Sequence, residues 1–293
     1  MATTSQVRVS QRSERKLITL DRSLDVLAIV VLSIGAVLMA MPFAWMFSTS
    51  LRPFGESYKL PPAWLPTEWH WENYAAVFQS NVPFLTFAYN SVKVTLITTI
   101  GQLLTCSMAG FAFARLRFPG REVLFVLLLA AMMVPGQVTI IPVFIIMRTL
   151  GLLDSHWALI LPGLTSVFGV FLLRQFFLTM PQDLIDAAKM DGASVWATFF
   201  KIALPLASPV LSALAILTFN GTWNNYFGPY IFLNSWEKMT LPLGVTALRG
   251  FMASGSPSIV MACVTMTILP VLLVFLFAQR WFIEGVTQTG LKG

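Results

Sequence analysis

Six long apolar stretches constrain the fold of this chain more than any other feature. An α-helix needs roughly 20 apolar residues to cross a hydrocarbon core about 30 Å thick. The stretches cover residues 26–47, 85–112, 123–147, 158–173, 207–220 and 259–281. The sequence therefore predicts an all-α integral membrane protein with six transmembrane helices. The fifth stretch is short and interrupted by polar residues, so the pattern does not fix where that helix ends.

The composition agrees with a membrane protein and argues against an enzyme. Hydrophobic residues make up 56% of the chain and charged residues only 11%, whereas a soluble domain carries about one quarter charged residues. The only histidines, His70 and His156, fall in predicted loops, which leaves no imidazole pair for catalysis and no metal cluster. The segment "GVTQTGLK" departs from a phosphate-binding loop because no Ser or Thr follows its lysine. We therefore expect no cofactor on this chain.

Lysine and arginine residues lie mostly on one set of connections between the apolar stretches. That set comprises both chain ends, the connection between the second and third stretches, and the connection between the fourth and fifth. The positive-inside rule places it, and therefore both termini, in the cytoplasm. We expect a cytoplasmic N-terminal segment at 1–25, a membrane domain at 26–281 and a cytoplasmic tail at 282–293. The net charge of +6 follows from this topology, and nothing points to nucleic acid.

The segment "DAAKMDGASVWATFFKIALP", which ends at Pro205, places charges and a glycine between two apolar stretches. Pro181 suits the start of a helix that runs to Met190, and Gly192 allows the backbone to turn. Ser194 can cap a second short helix, which Pro205 ends. The sequence predicts two short helices joined by a bend.

Small and charged side chains share the first of these two helices. Ala187 and Ala188 would let the surface of another protein approach closely. Asp186 and Lys189 are three residues apart and lie on one side of the helix. These features fit a docking surface, and they fit an amphipathic helix at the membrane interface equally well.

The spacing of this segment resembles the EAA loop of permease subunits in ABC importers. The matching residues are Asp186-Ala187-Ala188, Gly192 four places later, and Ile202-Ala203-Leu204-Pro205, with Asp where Glu is more usual at the first position. Further matches are "ARLRFPGR" at 114–121, "LGLLDSHWALILP" at 150–162, "TWNNYFGP" at 222–229 and the tail "QRWFIEGVTQTGLKG". Together they resemble the carbohydrate-uptake branch of this family, and in particular the smaller permease of maltose-type importers.

The resemblance implies a non-catalytic transport subunit in a bacterial cell inner membrane. Its partners would be a second permease, two ATPase subunits that bind ATP and Mg, a periplasmic or extracellular solute-binding protein, and the lipid bilayer. A coupling loop at 181–205, between spans four and five, would dock on an ATPase subunit. The implied docking residues are Asp186, Ala187, Ala188, Lys189, Asp191, Gly192, Ile202, Leu204 and Pro205. The tail of the maltose-type subunit also contacts the ATPase, which makes Thr287, Gln288, Thr289 and Gly290 a second candidate contact.

A break in the third apolar stretch is the first candidate for a substrate pathway. Pro135, Gly136 and Pro142 interrupt it, and each proline removes a backbone donor. Broken helices often line a substrate route, although a packing kink explains the same residues. A second candidate group follows the fifth stretch and suits either sugar contact or a turn at a helix end: Asn220, Thr222, Trp223, Asn224 and Asn225.

The residues alone leave two other functions and several substrates open. A secondary, ion-coupled transporter would show paired charges within its spans, where this chain has almost none apart from Lys93. A membrane scaffold without transport would leave the broken third stretch unexplained. The substrate could be a neutral oligosaccharide, a glycerol phosphate or an acidic sugar of the alginate type. Lys93, Lys238 and Arg249 slightly favour the acidic sugar.

Overall fold

The described residues of the computed structural model, 3–59, 63–80, 82–251 and 256–290, form helices and turns without any β-strand. For residues 3–23, 247, 249–251 and 278–290 the description is confined to the backbone. The prediction of an all-α protein is confirmed for the described part of the chain. Contacts divide it into two compact units, one of residues 1–73 with 256–262 and one of residues 74–255 with 263–293.

The described helices vary from long rods to single turns. In chain order they are α1 (Thr3–Ser50), α2 (Glu72–Gln79), α3 (Phe84–Arg115), α4 (Arg121–Ala130), α5 (Gly136–Thr149), α6 (Trp157–Gly163), α7 (Val167–Thr179), α8 (Gln182–Met190), α9 (Val195–Thr198), α10 (Leu204–Leu206), α11 (Ser208–Trp223), α12 (Phe227–Phe232), α13 (Leu241–Phe251) and α14 (Pro257–Gly290). Single 3₁₀ turns lie at Glu56–Tyr58, Ala131–Met133 and Trp236–Lys238, and a π-helical turn at Phe199–Ala203 joins α9 to α10.

Between four and six of these elements are long and apolar enough to cross a membrane. Four have no sharp bend: Leu24–Ser50, Phe84–Arg115, Trp157–Thr179, which is made of α6 and α7, and Pro257–Phe277. Two more are pairs of helices with a sharp bend between them, Arg121–Met133 with Gly136–Thr149 and Val195–Leu206 with Ser208–Trp223. The bends measure 106° and 76°. All six predicted stretches therefore fall on apolar helices, and two of these candidate spans are sharply bent.

Prolines account for both breaks. Val134 is extended, at φ −88° and ψ 116°, because the ring of Pro135 disfavours helical backbone in the residue before it. The second break lies at Ala207, where Pro209 cannot donate to the carbonyl four residues earlier. Pro205 was expected to end the helix, yet it lies inside α10 and the bend comes two residues later.

In the first unit, a buried arginine joins the end of α1 to the loop that follows it. Arg52 lies 4.5 Å from the centre of the Trp45 ring and donates to the carbonyl of Ala63. The Asn73 amide donates to the carbonyls of Ser50 and Arg52, both at 2.9 Å. These bonds fix the chain where it leaves α1, and they satisfy carbonyls that the helix end would otherwise leave unpaired.

The second unit is built on the contact between α3 and α7. At Gly110 the two helices are so close that an added Cβ would lie 2.9 Å from the Leu173 Cβ and 2.9 Å from the Arg174 nitrogen. Buried side chains surround this contact and reach from α3 to α8, the π-helical turn and α11. They include Cys106, Phe111, Phe177, Ile185, Phe199, Ala203 and Leu214. The 181–205 segment is thus part of this core.

Gly110→Ala is expected to lower the thermal unfolding temperature of the protein in detergent. The new methyl group meets a backbone nitrogen and a Cβ, which cannot rotate away, so the helices must separate at a cost of about 1–3 kcal/mol. Gly35→Ala in α1 is the control, because its Cβ meets no atom within 4 Å and alanine favours helix. Equal unfolding temperatures for the two variants would contradict the close contact.

Candidate functional site

The 181–205 segment folds into two short helices, as its residues predict. The first, α8, covers Gln182–Met190. Gly192 follows with φ at +75°, a backbone conformation that glycine adopts without strain. The amides of Gly192 and Ala193 close the helix by donating to the carbonyls of Lys189 and Ala188 at 3.0 and 2.9 Å. Ser194 then caps α9 by accepting a hydrogen bond from the Ala197 amide.

The two alanines of this segment point in different directions. Ala188 is 5% exposed and packs inward with Ile185, whereas Ala187 is exposed together with Asp186 and Lys189. Consecutive residues of an α-helix are about 100° apart, so neighbouring alanines cannot share one narrow face. Of the two alanines in the predicted docking surface, only Ala187 is exposed, and Ala188 packs within its own chain.

Exposed apolar side chains form the most prominent feature of the segment. Met190 is 88% exposed and Trp196 is 61% exposed, and Leu184, Val195 and Phe200 are exposed beside them in the sequence. The Trp196 and Phe200 rings stack with their centres 6.0 Å apart. We call these five residues the exposed apolar patch. Apolar side chains at this exposure mark surfaces that another protein or a membrane covers.

The remaining predicted docking residues divide between surface and interior. Asp191, Gly192 and Pro205 are exposed, and Ile202 and Leu204 are partly buried. The predicted tail contact, Thr287 to Gly290, lies in the last turns of α14, and its side chains are outside the described part of the structure.

An arginine that the sequence prediction missed ties α8 to the rest of the unit. Arg115, the last residue of α3, donates from Nε to the Phe177 carbonyl at 2.8 Å and from a terminal nitrogen to the Met180 carbonyl. Its other terminal nitrogen donates to Gln182 Oε1 at 2.7 Å. Gln182 in turn donates to Asp186 at 3.1 Å. Arg115 thus caps the end of α7 and holds the first turn of α8.

Arg115→Ala is expected to loosen α8 while leaving the spans folded. Hydrogen bonds to a charged group are worth about 1.5–3 kcal/mol, so hydrogen exchange of the α8 amides should accelerate by roughly tenfold or more. Arg115→Lys should recover only part of the protection, because an ammonium group cannot reproduce the fork of three bonds.

The exposed Arg117, two residues further on, provides the control as Arg117→Ala. Equal exchange rates in the wild type, Arg117→Ala and Arg115→Ala would show that Arg115 does not hold α8.

A cavity of about 460 Å³ lies where several helices of the second unit end or begin. Its wall comes from α3, the start of α5, α6, the end of α11, α12 and Thr240. Hydroxyl and amide side chains make up its polar part: Ser91, Thr95, Thr98, Gln137, Thr139, Thr222, Asn225 and Thr240. We call it the hydroxyl-lined cavity. Its volume is in the usual range for small-molecule sites.

The cavity includes only some of the predicted pathway residues. Gly136 and Asn225 line it, as does Thr222, whereas Pro135 precedes the wall residues of α5. Trp223 is buried instead: its indole N–H donates to the Thr267 carbonyl at 3.0 Å and its ring stacks on Phe219.

Asn220 and Asn224 hydrogen-bond to each other at 2.8 Å at the end of α11. The structure therefore does not bring Trp223, Asn220 or Asn224 to the cavity wall. For these three residues it favours the helix-end interpretation, which the sequence had left open.

An aspartate outside the membrane spans clamps two loops together next to this cavity. Asp154 has φ at +54° and accepts from the Asn234 and Ser235 amides at 2.9 and 2.8 Å. Its other oxygen accepts from the Ser235 hydroxyl and from Lys238 Nζ. From α3, Asn90 donates to the carbonyls on both sides of Lys238, those of residues 237 and 239. These bonds fix the connection between α12 and α13, and Lys238 is occupied as an ion-pair partner.

The pH dependence of this clamp follows from the environment of Asp154. The Ser235 hydroxyl and the Ser235 and Asn234 amides hold the pKa of Asp154 well below its ordinary value. A lowered folded-state pKa adds stability above the ordinary pKa of about 4, and this stability is lost as the pH falls below it. We expect the protection of the amides at 233–238 from hydrogen exchange, relative to their intrinsic exchange rate at each pH, to fall below about pH 4 in the wild type. In Asp154→Asn this protection should show little acid dependence.

Asn tolerates a positive φ and keeps an acceptor for the amides, so Asp154→Asn separates the charge from the backbone conformation. The same acid dependence in both proteins would contradict the role of the carboxylate.

Comparisons with known proteins agree with this architecture. Residues 102–288 match the family model described as the binding-protein-dependent transport system inner membrane component. The chain is 38% identical over 228 residues to the arabinooligosaccharides transport system permease protein AraQ of Bacillus subtilis (strain 168), which covers 78% of this chain and 81% of that protein. It is also 32% identical over 276 residues to the sn-glycerol-3-phosphate transport system permease protein UgpE of Yersinia enterocolitica serotype O:8 / biotype 1B. That alignment covers 92% of this chain and 98% of the relative.

The fold also resembles a solved structure. A chain of a bacterial ABC transporter involved in the import of the acidic polysaccharide alginate superposes with a TM-score of 0.79 at 26% identity, over 89% of this chain and 97% of that one. The resemblance to ABC-importer permeases that the motifs indicated is confirmed. The family match covers more than half of the chain, and this protein belongs to the family of binding-protein-dependent transport system inner membrane components.

Proposed function

We propose that this chain is one of two permease subunits of an ATP-driven ABC importer that takes up a sugar delivered by a solute-binding protein. The family membership and the sugar-transport names of several relatives support this function. Transport proceeds by alternating access, in which ATP-driven closure of two partner ATPase subunits opens the permeases to receive the sugar. ATP and Mg are bound by those partners, and this chain provides the path and the mechanical link.

The proposed topology has six spans with both termini in the cytoplasm of a bacterial cell. The bent pair Arg121–Met133 with Gly136–Thr149 counts as one span, and the fifth span is Ser208–Trp223, with the arm before its bend, Val195–Leu206, outside the span. The excess of Lys and Arg on one set of connections supports the orientation. The 181–205 segment then lies on the cytoplasmic side, where the ATPase subunits are, and the Asp154 clamp lies on the opposite side, where the binding protein arrives.

The exposed apolar patch is the observation that carries the proposed docking of the ATPase. Leu184, Met190, Val195, Trp196 and Phe200 are exposed on a segment whose other side is fixed in the core through Ile185 and Phe199. A partner seated on this patch would move α8, and Arg115 would pass the displacement to α3 and α7. Thr287 to Gly290 in the tail form a second, independent candidate contact with the ATPase.

The first test is purification of the tagged chain from its native membranes in mild detergent, with identification of the co-purifying proteins. We expect a second permease and an ATPase with a phosphate-binding loop. Uptake that persists without ATP and collapses with the ion gradient would instead indicate a secondary transporter, and absence of any uptake would indicate a scaffold.

The second test is Ala187→Trp, which places a bulky group on the exposed side of α8. We expect the recovery of the ATPase to fall by about tenfold or more, because filling a packed interface costs about 1–3 kcal/mol. Ala75→Trp on the exposed side of α2 is the matched control and should leave recovery unchanged. Normal recovery with Ala187→Trp would show that this surface of α8 is not the docking surface.

A further inference from the structure

A second cavity of the second unit, also of about 460 Å³, contains charged side chains. Its wall comes from the start of α3, from the start of α6 with the loop before it, and from the turn that precedes α13. The residues that matter for its chemistry are Lys93, Ile97, Asp154, Trp157, Glu237 and Lys238. We call it the Lys93 cavity.

Two of the four charged side chains in this wall are paired with each other, and two are not. Lys238 Nζ lies 2.9 Å from Asp154 Oδ2. Neither Lys93 nor Glu237 has an ion-pair partner among the described residues. Lys93 Nζ lies 5.6 Å from the centre of the Tyr89 ring, which is a weak contact. Lys93 is partly exposed and Glu237 is exposed, so the wall offers an accessible cation and an accessible carboxylate to a ligand.

The charges that line the Lys93 cavity cancel. Burial lowers the pKa of His156, which also lines the cavity, and the charges of Lys93 and Lys238 act in the same direction. The imidazole is therefore uncharged at neutral pH, and two lysines face two carboxylates, Asp154 and Glu237. A ligand with a charge of one sign would leave a wall charge of that sign uncompensated. A ligand that carries an anionic and a cationic group together matches both accessible side chains.

The position of Lys93 along α3 places the cavity at a membrane boundary. From Lys93 to Arg115 the helix rises about 33 Å at 1.5 Å per residue, and no charged residue lies between them in the sequence. The hydrocarbon core of a bilayer is about 30 Å thick, so the two cations match its two boundaries. Tyr89 and Trp157, both exposed beside the cavity, are residue types that membrane proteins place at this level.

An exposed apolar face of α3 continues from the Lys93 cavity towards the middle of the membrane. Ile97 belongs to the cavity wall, and Ile100 and Leu104 follow at helical spacing; all three are exposed. Charged groups at the boundary are thus followed by an apolar track. A lipid has the same order of parts, with a charged headgroup above an acyl chain.

We propose that the Lys93 cavity binds the headgroup of a phosphatidylethanolamine molecule in the outer leaflet. Lys93 binds its phosphate, Glu237 binds its ammonium group, and one acyl chain lies along Ile97, Ile100 and Leu104. The lipid then joins α3 to the turn before α13 in addition to the bonds of Asn90. This site is independent of the transported substrate and takes only the choice of leaflet from the proposed topology.

The test uses the assembled transporter in phosphatidylcholine nanodiscs that contain a trace of phosphatidylethanolamine with a photoactivatable diazirine at the start of one acyl chain. Irradiation attaches the probe to the protein, and mass spectrometry of peptides locates the attachment. We expect attachment around Ile97 of α3. Unlabelled phosphatidylethanolamine should compete with the probe at a three- to tenfold lower content than phosphatidylglycerol, roughly the effect of one charge-assisted hydrogen bond.

Four variants assign the two charges. Lys93→Gln should lower attachment around Ile97 by about three- to tenfold, and Lys93→Arg should retain most of it. Glu237→Gln should remove the preference for phosphatidylethanolamine over phosphatidylglycerol, because the carboxylate recognises the ammonium group. Arg148→Gln is the matched control, since Arg148 is an exposed cation at the end of α5 that does not line the cavity, and attachment should be unchanged. Recovery of the ATPase with each variant shows that it assembles.

The competing outcomes are distinct. Equal competition by the two lipids in the wild type would overturn the assignment of the headgroup. Displacement of the probe by millimolar phosphoethanolamine or inorganic phosphate would indicate a site for a soluble phosphate and would overturn the lipid assignment. Absence of attachment around Ile97, or an equal loss in Lys93→Gln and Arg148→Gln, would overturn the site itself.

Discussion

The close contact between α3 and α7 at Gly110 is the interaction on which the second unit depends. Because the residue at that point has no Cβ, two helices approach to a distance at which a methyl group would meet the opposing backbone. Membrane helices gain little from burying apolar surface in an apolar solvent, so close packing through small residues supplies much of their association. The same helix α3 carries a wall of the cavity near its start and Arg115 at its end.

The broken helices explain how polar groups can lie among apolar spans. Non-helical backbone at membrane depth is tolerated where it lies within protein or lines a cavity. The break before Gly136 and the turn after Trp223 both lie beside the hydroxyl-lined cavity, to which Gly136, Thr222 and Asn225 contribute. Asp154 holds the neighbouring connection in place, so the irregular backbone around the cavity has its own fixed hydrogen bonds. Pro135 thus places one break beside the cavity, and Asp154 fixes the connection that leads to Thr240 in the cavity wall.

The sequence predicted elements whose signal is local and missed relations between distant residues. Hydropathy located the apolar stretches, and Gly192 and Ser194 marked the bend and the cap, because these depend on neighbouring residues. The contacts of Arg115 lie 62 to 67 residues away, and only the fold brings Thr98 and Thr240 to the lining of one cavity. Ala188 and Trp223 stayed ambiguous for a related reason: small size and an aromatic ring suit a surface and an interior equally, and only the packing decides. No local pattern could have assigned them.

Helix α3 has fixed points at both ends, which limits how it can move. Arg115 attaches one end to α7 and α8, and Asn90 and Ser91 attach the other to the backbone of the connection that runs into α13. The helix has 32 residues and no internal proline, and about 36 Å separate Ser91 from Arg115 at 1.5 Å per residue. A continuous helix attached at both ends passes a displacement of one end to the other. A movement of α8 would therefore reach the connection that Asn90 and Ser91 hold, and the cavity residues on α3 would move with it.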